Sequence, residues 1–568
     1  MKFRLEWLAQ YLSGERPDLA LLRRRLTDVG FIVEGTEGEG ADAVLDVELT
    51  ANRPDGMNHR GLAREAACAL GRAFVDAPAP SPAEGSAEAA SLATVTIEEP
   101  ALCSRYSARV VEGVRVREAG EKVQERLRAL GMNPISSPVD ATNHVLWDIG
   151  QPLHAFDLDT LAKGPDGRPA IVVRRARAGE KLVTLDGVER TLSPEHLVIA
   201  DAEKPVALAG VMGGLATAIT PSTTRLLLES AHFSATAVRK TARLLGMHTD
   251  ASHRFERGAD PATTVEGLNR VTALLVADCG GTVARGVLDV VARQIPPKVV
   301  RLRHARLVSF LGMDVPLSRC VEILSALSFG IARKEPGVLE VTVPTWRIDI
   351  DQEVDLIEEV IRVVGYGALP EALPHPFNPT WSEPILAREE RARDVLAAAG
   401  FVEACTYSFV SAAENAPFEP CISGTAPRIQ NALGEPFTTM RATPVVGLLR
   451  AARHNVRRGL SDLALYEVGR SYALAGGHPV ESRRAAILLH GRRGVHWAAE
   501  PRPADFFDGS GAVASLFAGF GASAPSFRPA SLPYLAAGRS AEVLAGGAVV
   551  GWVGVLAGRL AAEWDLAE

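Results

Sequence analysis

Apolar residues recur every three to four positions along several stretches of the chain, and each such stretch predicts a helix. The first of them predict helices over residues 5–12, 19–29 and 59–70, with a strand over 43–49 between the second and the third. Asn52-Arg53-Pro54-Asp55-Gly56 is a turn by composition. The sharpest pattern is the run Pro344 to Tyr366, PTWRIDIDQEVDLIEEVIRVVGY. Its Val354, Ile357, Val360, Ile361 and Val364 form one core-facing helical stripe, while Asp355, Glu358 and Glu359 fall at i, i+3 and i+4 on another side, with Asp349 just ahead. Carboxylates gathered this closely repel unless a cation sits among them, and hard oxygen ligands suit Mg²⁺. The same acids could instead complement the helix dipole and face water. Val543 to Gly558 is uncharged but shorter than the roughly 20 residues a bilayer needs; Gly546-Gly547 inside it predicts a tight hairpin.

Between residues 93 and 292 short strand and helix patterns alternate, and three polar clusters interrupt apolar surroundings. The first is Asp140-Ala141-Thr142-Asn143-His144, followed by Gln151 to Asp157 with His154. The second, Ala207 to Gly214, includes Ala209 and Gly210, residues small enough for backbone to approach a ligand. The third is Leu228-Glu229-Ser230-Ala231-His232-Phe233. Taken singly, His154 reads as a core histidine, Glu229 as a buried acid paired with an arginine, and the small-residue run as a turn. Arg239, Lys240, Arg243, His248, His253, Arg254 and Arg257 form a local basic patch suited to RNA phosphates. The five-residue separation of His248 and His253 speaks against a zinc pair on one helix.

Composition narrows these options. A length of 568 residues with 47% hydrophobic content supports several cores. Net charge is −7, from 61 basic and 68 acidic residues, so no global field recruits nucleic acid. Six cysteines without CxxC spacing argue against a zinc cluster and a disulfide framework and fit a reducing cytoplasm. The opening MKFRLEWLAQYL lacks a signal-peptide core, so a soluble protein is expected. Gly519-Phe520-Gly521-Ala522-Ser523-Ala524 fits a dinucleotide pattern but follows a helical stretch, where glycine capping explains it.

The Pro344–Tyr366 run resembles the B5-domain signature of the β subunit of bacterial phenylalanine-tRNA ligase, and the three polar clusters resemble, in order, its B3/B4 editing domain. The resemblance implies a magnesium site at Asp349, Asp355, Glu358 and Glu359 shared with an α subunit. It also implies an editing pocket of Thr142, Asn143, His154, Ala209, Gly210 and Glu229 that hydrolyses tyrosine wrongly attached to tRNA(Phe). The implied partners are the α subunit, in an (αβ)₂ heterotetramer that consumes ATP at α, and tRNA(Phe). Thr406 to Phe409, Met440-Arg441 and Leu465 to Arg470 resemble the family's inactive class II synthetase core; Gly551 to Arg559 lacks the form of a catalytic glycine-rich strand.

The expected fold is α+β and multidomain: an N-terminal α/β domain over 1–76, a linker over 77–92, an editing domain of mixed strands and helices over 93–292, a B5 winged-helix-like domain over 296–370, and a degenerate class II antiparallel-sheet core over 376–568. The resemblance further leads one to expect an oligonucleotide-binding-fold insertion between 30–35 and 43–49 and a ferredoxin-like anticodon-binding domain beyond 568, and the sequence holds neither. The alternative function is a stand-alone aminoacyl-tRNA hydrolase or RNA-binding scaffold without a synthetase partner.

Overall fold

The computed structural model describes residues 1–373, 383–494, 497–498 and 500–566, except the side chain of Lys334. The expected start of the last domain, 376, lies outside the described residues. The chain divides into two compact units, Met1–Ala372 and Leu373–Glu568. It is a mixture of helices and several separate sheets. Among the described residues no helix is long and apolar enough to cross a membrane.

The first unit begins with β1 (Lys2–Arg4), α1 (Leu5–Ala9), α2 (Leu19–Asp28), β2 (Val33–Glu37), β3 (Val44–Val47) and α3 (His59–Leu70). The three strands form a sheet in the order β1-β3-β2. Asp18 caps α2 by accepting from Leu21 N–H, and Asn58 caps α3 by accepting from Gly61 N–H, which fixes where both helices start. The helices agree with the apolar periodicity; β1 and β2 are too short to carry a pattern of their own.

The next stretch contributes β4 (Glu84–Glu88), α4 (Ala89–Leu92), β5 (Thr94–Ile97), β6 (Cys103–Glu112), α5 (Glu121–Ala129), α6 (Ser137–Ile149), β7 (Leu153–Asp157), β8 (Ala170–Arg175), β9 (Lys181–Val183), β10 (Glu189–Thr191), β11 (Leu197–Ala200), β12 (Pro205–Leu208), β13 (Met212–Gly213), β14 (Arg225–Phe233), α7 (Ala235–Leu245), α8 (Asp250–Phe255), α9 (Thr264–Cys279), β15 (Thr282–Arg285) and β16 (Leu288–Val291). Two large sheets result, a six-stranded one ordered β4-β15-β6-β14-β7 with β16 also on β6, and a five-stranded one ordered β13-β12-β11-β8-β5. The 77–92 segment is therefore more than a linker. Its acids pair with arginines, Glu84 with Arg109 and Glu88 with Arg285, and β4 adds in parallel to β15, while Ala89 is buried in the inter-sheet core.

The unit closes with β17 (Lys298–Arg303), α10 (His304–Leu311), α11 (Leu317–Ala326), β18 (Gly330–Glu335), β19 (Val338–Val343) and α12 (Glu353–Val364). Its sheet runs β17-β19-β18, and Leu356, Ile357 and Val360 of α12 fill the core beneath it. Val354, expected in that stripe, is 38% exposed. Leu356 takes its place because α12 also turns Glu359 and Arg362 inward.

The second unit holds two three-stranded sheets, one of Val402–Glu403, Leu463–Ala475 and His478–His490, the other of Ser526–Pro529, Leu535–Ala545 and Ala548–Leu556. The first is mixed and not purely antiparallel as expected, since Val402 and Glu403 run parallel to Leu465 and Tyr466. Gly546 and Gly547 both have positive φ (56° and 86°) and close the expected hairpin.

Candidate functional site between the two large sheets

Strand β14 is paired on both sides, with Glu229 opposite Ala108 of β6 and opposite His154 of β7. Side chains alternate along a strand. Leu226, Leu228 and Ala155 thus enter the core beneath α6 and α9, whereas Leu227, Ala231, Phe233, Tyr106 and Phe156 enter the core shared with the five-stranded sheet. Glu229 and His154 belong by register to this second face. Directly opposed residues have Cβ atoms about 5 Å apart, so an acid and an imidazole lie side by side within an apolar layer.

Their electrostatics follow from that burial. Glu229 has no described ion pair, and desolvation lifts its carboxyl to about 8, so it is mostly protonated at neutral pH. Desolvation lowers the His154 imidazole to about 4, leaving it neutral. His154 Nε2 is buried without a hydrogen-bond partner, and the ring meets Phe156 edge-on at 4.5 Å. The Tyr106 hydroxyl is likewise buried and unpartnered, and burial raises its pKa, with Glu229 adding to the effect. The arginine partner expected for a buried Glu229 is absent among the described residues, because the strands on either side present Ala108 and His154.

The small-residue run supplies the opposite wall. A Cβ on Gly213 would lie 2.7 Å from His154 Nε2, so only glycine lets β13 close over the imidazole. Gly210, with φ +71°, turns the chain after β12, and a Cβ there would meet Val238 at 2.9 Å, Phe255 at 3.0 Å and Phe233 at 3.2 Å. Ala209 is buried beside it. Thr142 and Asn143 stand apart. Both are on α6, which covers the other face of the six-stranded sheet, and Thr142 Oγ1 donates to Val139 O at 2.7 Å within its own helix. The structure thus brings together His154, Glu229 and the 209–213 wall, and adds Tyr106 and Gly213, which sequence patterns had not singled out. Strand alternation, counted from Glu229 across to β6, is the signal that could have found Tyr106. This arrangement can hydrogen-bond a neutral polar group and transfer a proton; it presents no activated nucleophile, since burial pushes the nearby Cys103 thiol up.

The four acids of the B5-like run separate into two pairs. Arg347 donates two hydrogen bonds to Asp349 (2.9 and 2.7 Å) and one to Glu359 (2.5 Å). Arg362 also donates two to Glu359 (2.8 and 2.6 Å), and it donates to Glu65 of α3 (2.7 and 3.2 Å). Burial alone would raise the Glu359 carboxyl, but Arg362 and Arg347 hold it well below the usual carboxylate range. Asp355 caps α12, accepting from the N–H groups of Asp351 and Gln352 through one oxygen (2.8 and 2.7 Å). Glu358 is exposed. The oxygens left for a cation are therefore one of Asp355 and both of Glu358, while Asp349 and Glu359 are neutralised by guanidinium groups.

The basic segment is only partly a surface. Arg239, Lys240, Arg243 and His248 are exposed, but Arg254 is buried, and Lys240 pairs with Glu195. His248 and His253 come together despite their spacing, with ring centroids 5.1 Å apart, because His248 precedes α8. Glu256 completes the one group of potential metal ligands that converges among the described residues. Arg257 already donates to His253 Nδ1 (3.0 Å) and to Glu256, so a guanidinium engages two of the three side chains.

In the second unit, Arg441 Nη1 donates to Thr406 Oγ1 (2.9 Å), pairs with Glu467 (2.7 Å), and Nε donates to Arg470 O (2.9 Å). Thr406 donates to Glu467 (2.6 Å). The three synthetase-like motifs thus satisfy one another in a closed structural cluster.

Comparison with known proteins matches successive parts of the chain to three domain families. Residues 102–280 match the model of the B3/4 domain, residues 300–366 that of the tRNA synthetase B5 domain, and residues 369–568 that of the phenylalanyl tRNA synthetase beta chain CLM domain. The chain is 43% identical over 491 residues to the phenylalanine–tRNA ligase beta subunit of Anaeromyxobacter dehalogenans, covering 85% of this chain and 61% of that protein. It is 41% identical to the corresponding subunit of Moorella thermoacetica, covering 91% and 64%, and 36% identical to that of Carboxydothermus hydrogenoformans, covering 96% and 69%. It spans about three-fifths of the length of the first two.

Proposed function

Because the chain belongs to the phenylalanine–tRNA ligase beta subunit family, we propose that it is the β component of an (αβ)₂ ligase. In this reading an α subunit consumes ATP and charges tRNA(Phe), and this chain hydrolyses mischarged Tyr-tRNA(Phe) in the cytoplasm. Residues 93–292 would be the editing domain, 296–370 a winged-helix-like B5 domain and 376–568 a non-catalytic class II core, with 1–76 the N-terminal domain.

The observation that carries the proposal is the pair Glu229 and His154, buried side by side with unmet hydrogen-bonding capacity. A phenylalanine ring entering this layer would leave both unpaired, whereas a tyrosine hydroxyl could accept from the protonated Glu229 carboxyl or donate to the neutral His154 ring. A site built to hydrogen-bond a hydroxyl discriminates far better than a synthetic site that must reject one. Ala209 and Gly210 would admit the substrate backbone. Thr142 and Asn143, carried by α6 over the other face of the six-stranded sheet, would take no part in this pocket. Mg²⁺ would be held by Asp355 and Glu358 with oxygen ligands from the α subunit, supplying a cation that ties the two carboxylate surfaces together; Asp349 would join only by releasing Arg347, and Glu359 only by releasing both Arg347 and Arg362.

The test is deacylation of Tyr-tRNA(Phe) and Phe-tRNA(Phe) by the chain with its α partner. Glu229→Ala and His154→Ala should abolish tyrosine release while phenylalanine charging persists. Unchanged release in both variants would remove the pocket assignment. Full activity of the chain alone, without binding α, would favour the stand-alone hydrolase.

A further inference from the structure

We infer that the outer face of α7, through Arg239 and Arg243, holds backbone phosphates of the RNA strand whose acylated end enters the pocket between the two large sheets. The inference rests on the editing reading and adds to it the surface that carries the strand.

α7 is an amphipathic helix fastened to the pocket by its inner face. Val238, Thr241 and Ala242 are buried, and a Cβ on Gly210 would meet Val238 at 2.9 Å. Beyond the helix, Thr249 Oγ1 donates to Val211 O (2.8 Å), so the helix and the turn that follows it are both tied to the 209–213 wall. Arg239, Lys240 and Arg243 are exposed on the outside. Arg239 and Arg243 are four residues apart, which puts them on one face, about 6 Å apart along the axis. Successive phosphates of one strand can meet such a pair. A helix with its side chains is about 10–12 Å across, so this face stands a few nucleotides from an ester held in the pocket.

Charge separates these two arginines from the others nearby. No acid occurs between Ser234 and Thr249. Lys240 pairs with Glu195, and in the following helix and its end Asp250 is taken by Arg254 and Glu256 by Arg257. Arg105, Arg109, Arg174 and Arg225 of the large sheets each pair with a carboxylate. Arg239 and Arg243 have no ion pair among the described residues. The helix dipole accounts for a cation in the last turn, where Arg243 stands, but not for Arg239 one turn earlier. Two solvent-facing guanidinium groups without acids to neutralise them suit phosphate oxygens, which they can bond through paired N–H donors. The chain as a whole carries net charge −7, so a local strip of this kind, and not a global field, has to attract a polyanion.

The test is binding of tRNA(Phe) to the full chain with its α partner, followed by fluorescence anisotropy over a series of salt concentrations. Each phosphate contact on a single strand contributes about −0.7 to the slope of log K against log salt, so Arg239→Gln together with Arg243→Gln should make the slope shallower by about 1.4. Both positions are exposed and glutamine is a good helix former, so α7 tolerates the change. Arg23→Gln with Arg24→Gln removes the same charge from exposed positions of α2 and should leave the slope at its wild-type value. An unchanged slope in the α7 variant, or an equal change in both double variants, would overturn the inference. Deacylation separates that outcome from failure of the pocket. The α7 variant should raise KM for Tyr-tRNA(Phe), and the effect should be absent with the tyrosyl ester of adenosine, which carries no phosphate. Loss of both reactions would mean that α7 acts only by shaping the pocket, and would count against the strip. If wild type releases no tyrosine, the editing reading falls, and the salt slope alone decides whether α7 holds RNA.

Discussion

Tyr106 carries its hydroxyl into the inter-sheet core without a partner, and an unpaired buried hydroxyl keeps its desolvation cost. Tyr106→Phe should therefore stabilise the chain by about 1 kcal/mol in chemical denaturation; a loss of similar size would mean that the oxygen has an acceptor. Glu229 makes an opposite kind of prediction, one that depends on pH. Its folded pKa of about 8 lies above its ordinary 4.5, so the folded chain retains a proton that the unfolded chain releases. The contribution is complete below about 4.5 and disappears as pH rises through about 8. Glu229→Gln should thus become progressively more stable than wild type over that window, measured as the difference in unfolding midpoint against pH. His154 acts on the acid side: its folded value of about 4 lies below its ordinary 6.5, so stability present above 6.5 is lost as pH falls toward 4. A flat difference curve for Glu229→Gln from pH 5 to 8 would show that the carboxyl is not desolvated.

At the scale of elements, α12 is held to α3 by charge as well as by apolar packing. Glu65 accepts from Arg53 and Arg362, Glu359 from Arg347 and Arg362, and Asp349 from Arg347, all with little exposure. Removing one partner leaves an uncompensated buried charge, which costs about 3–5 kcal/mol. Glu359→Gln should lose stability on that scale with or without Mg²⁺, and chelating divalent ions should leave the wild-type midpoint unchanged. A midpoint that falls on chelation would instead make the metal a structural member of the cluster. This part of the molecule also shows what the sequence could reveal. The helix over 353–364 was legible, because its apolar spacing is a local property. The inward turn of Glu359 was not, because its meaning depends on Arg362 and on Glu65, which lies 297 positions from Arg362. The same holds for the site between the sheets: His154, Glu229 and Gly210 stood out as polar or small residues in apolar runs, but their juxtaposition required strand register. Thr142 and Asn143 stood out equally, yet α6 carries them to the other face. Spacing misled for His248 and His253 because it presumed a single helix.

At the scale of the whole molecule, residues 1–76, 93–292 and 296–370 read as separate domains in sequence, yet their cores are stitched together. Trp147 of α6 is buried in the N-terminal core. Trp7 Nε1 and the Tyr11 hydroxyl both donate to Asp148 (2.8 and 2.6 Å), and the Trp147 carbonyl meets His59 Nδ1 at 2.7 Å. Cys68 of α3 packs on the core beneath α12, and Arg362 reaches Val29 O (3.3 Å). Shared side chains of this kind transmit unfolding from one segment to the next, so residues 1–372 should unfold in one calorimetric transition. Its van't Hoff enthalpy should match the calorimetric value and not a third of it. Residues 373–568, whose described apolar clusters are built from side chains of that segment, should fold when expressed separately. Asp148→Asn offers the sharper version of the test. It keeps the size of the side chain and weakens the acceptor that joins α1 to α6. If the first unit is cooperative, its single midpoint falls as a whole. If the N-terminal segment melts alone while the two large sheets keep their original midpoint, the segments are independent domains, and the buried contacts between them are adhesion without cooperativity.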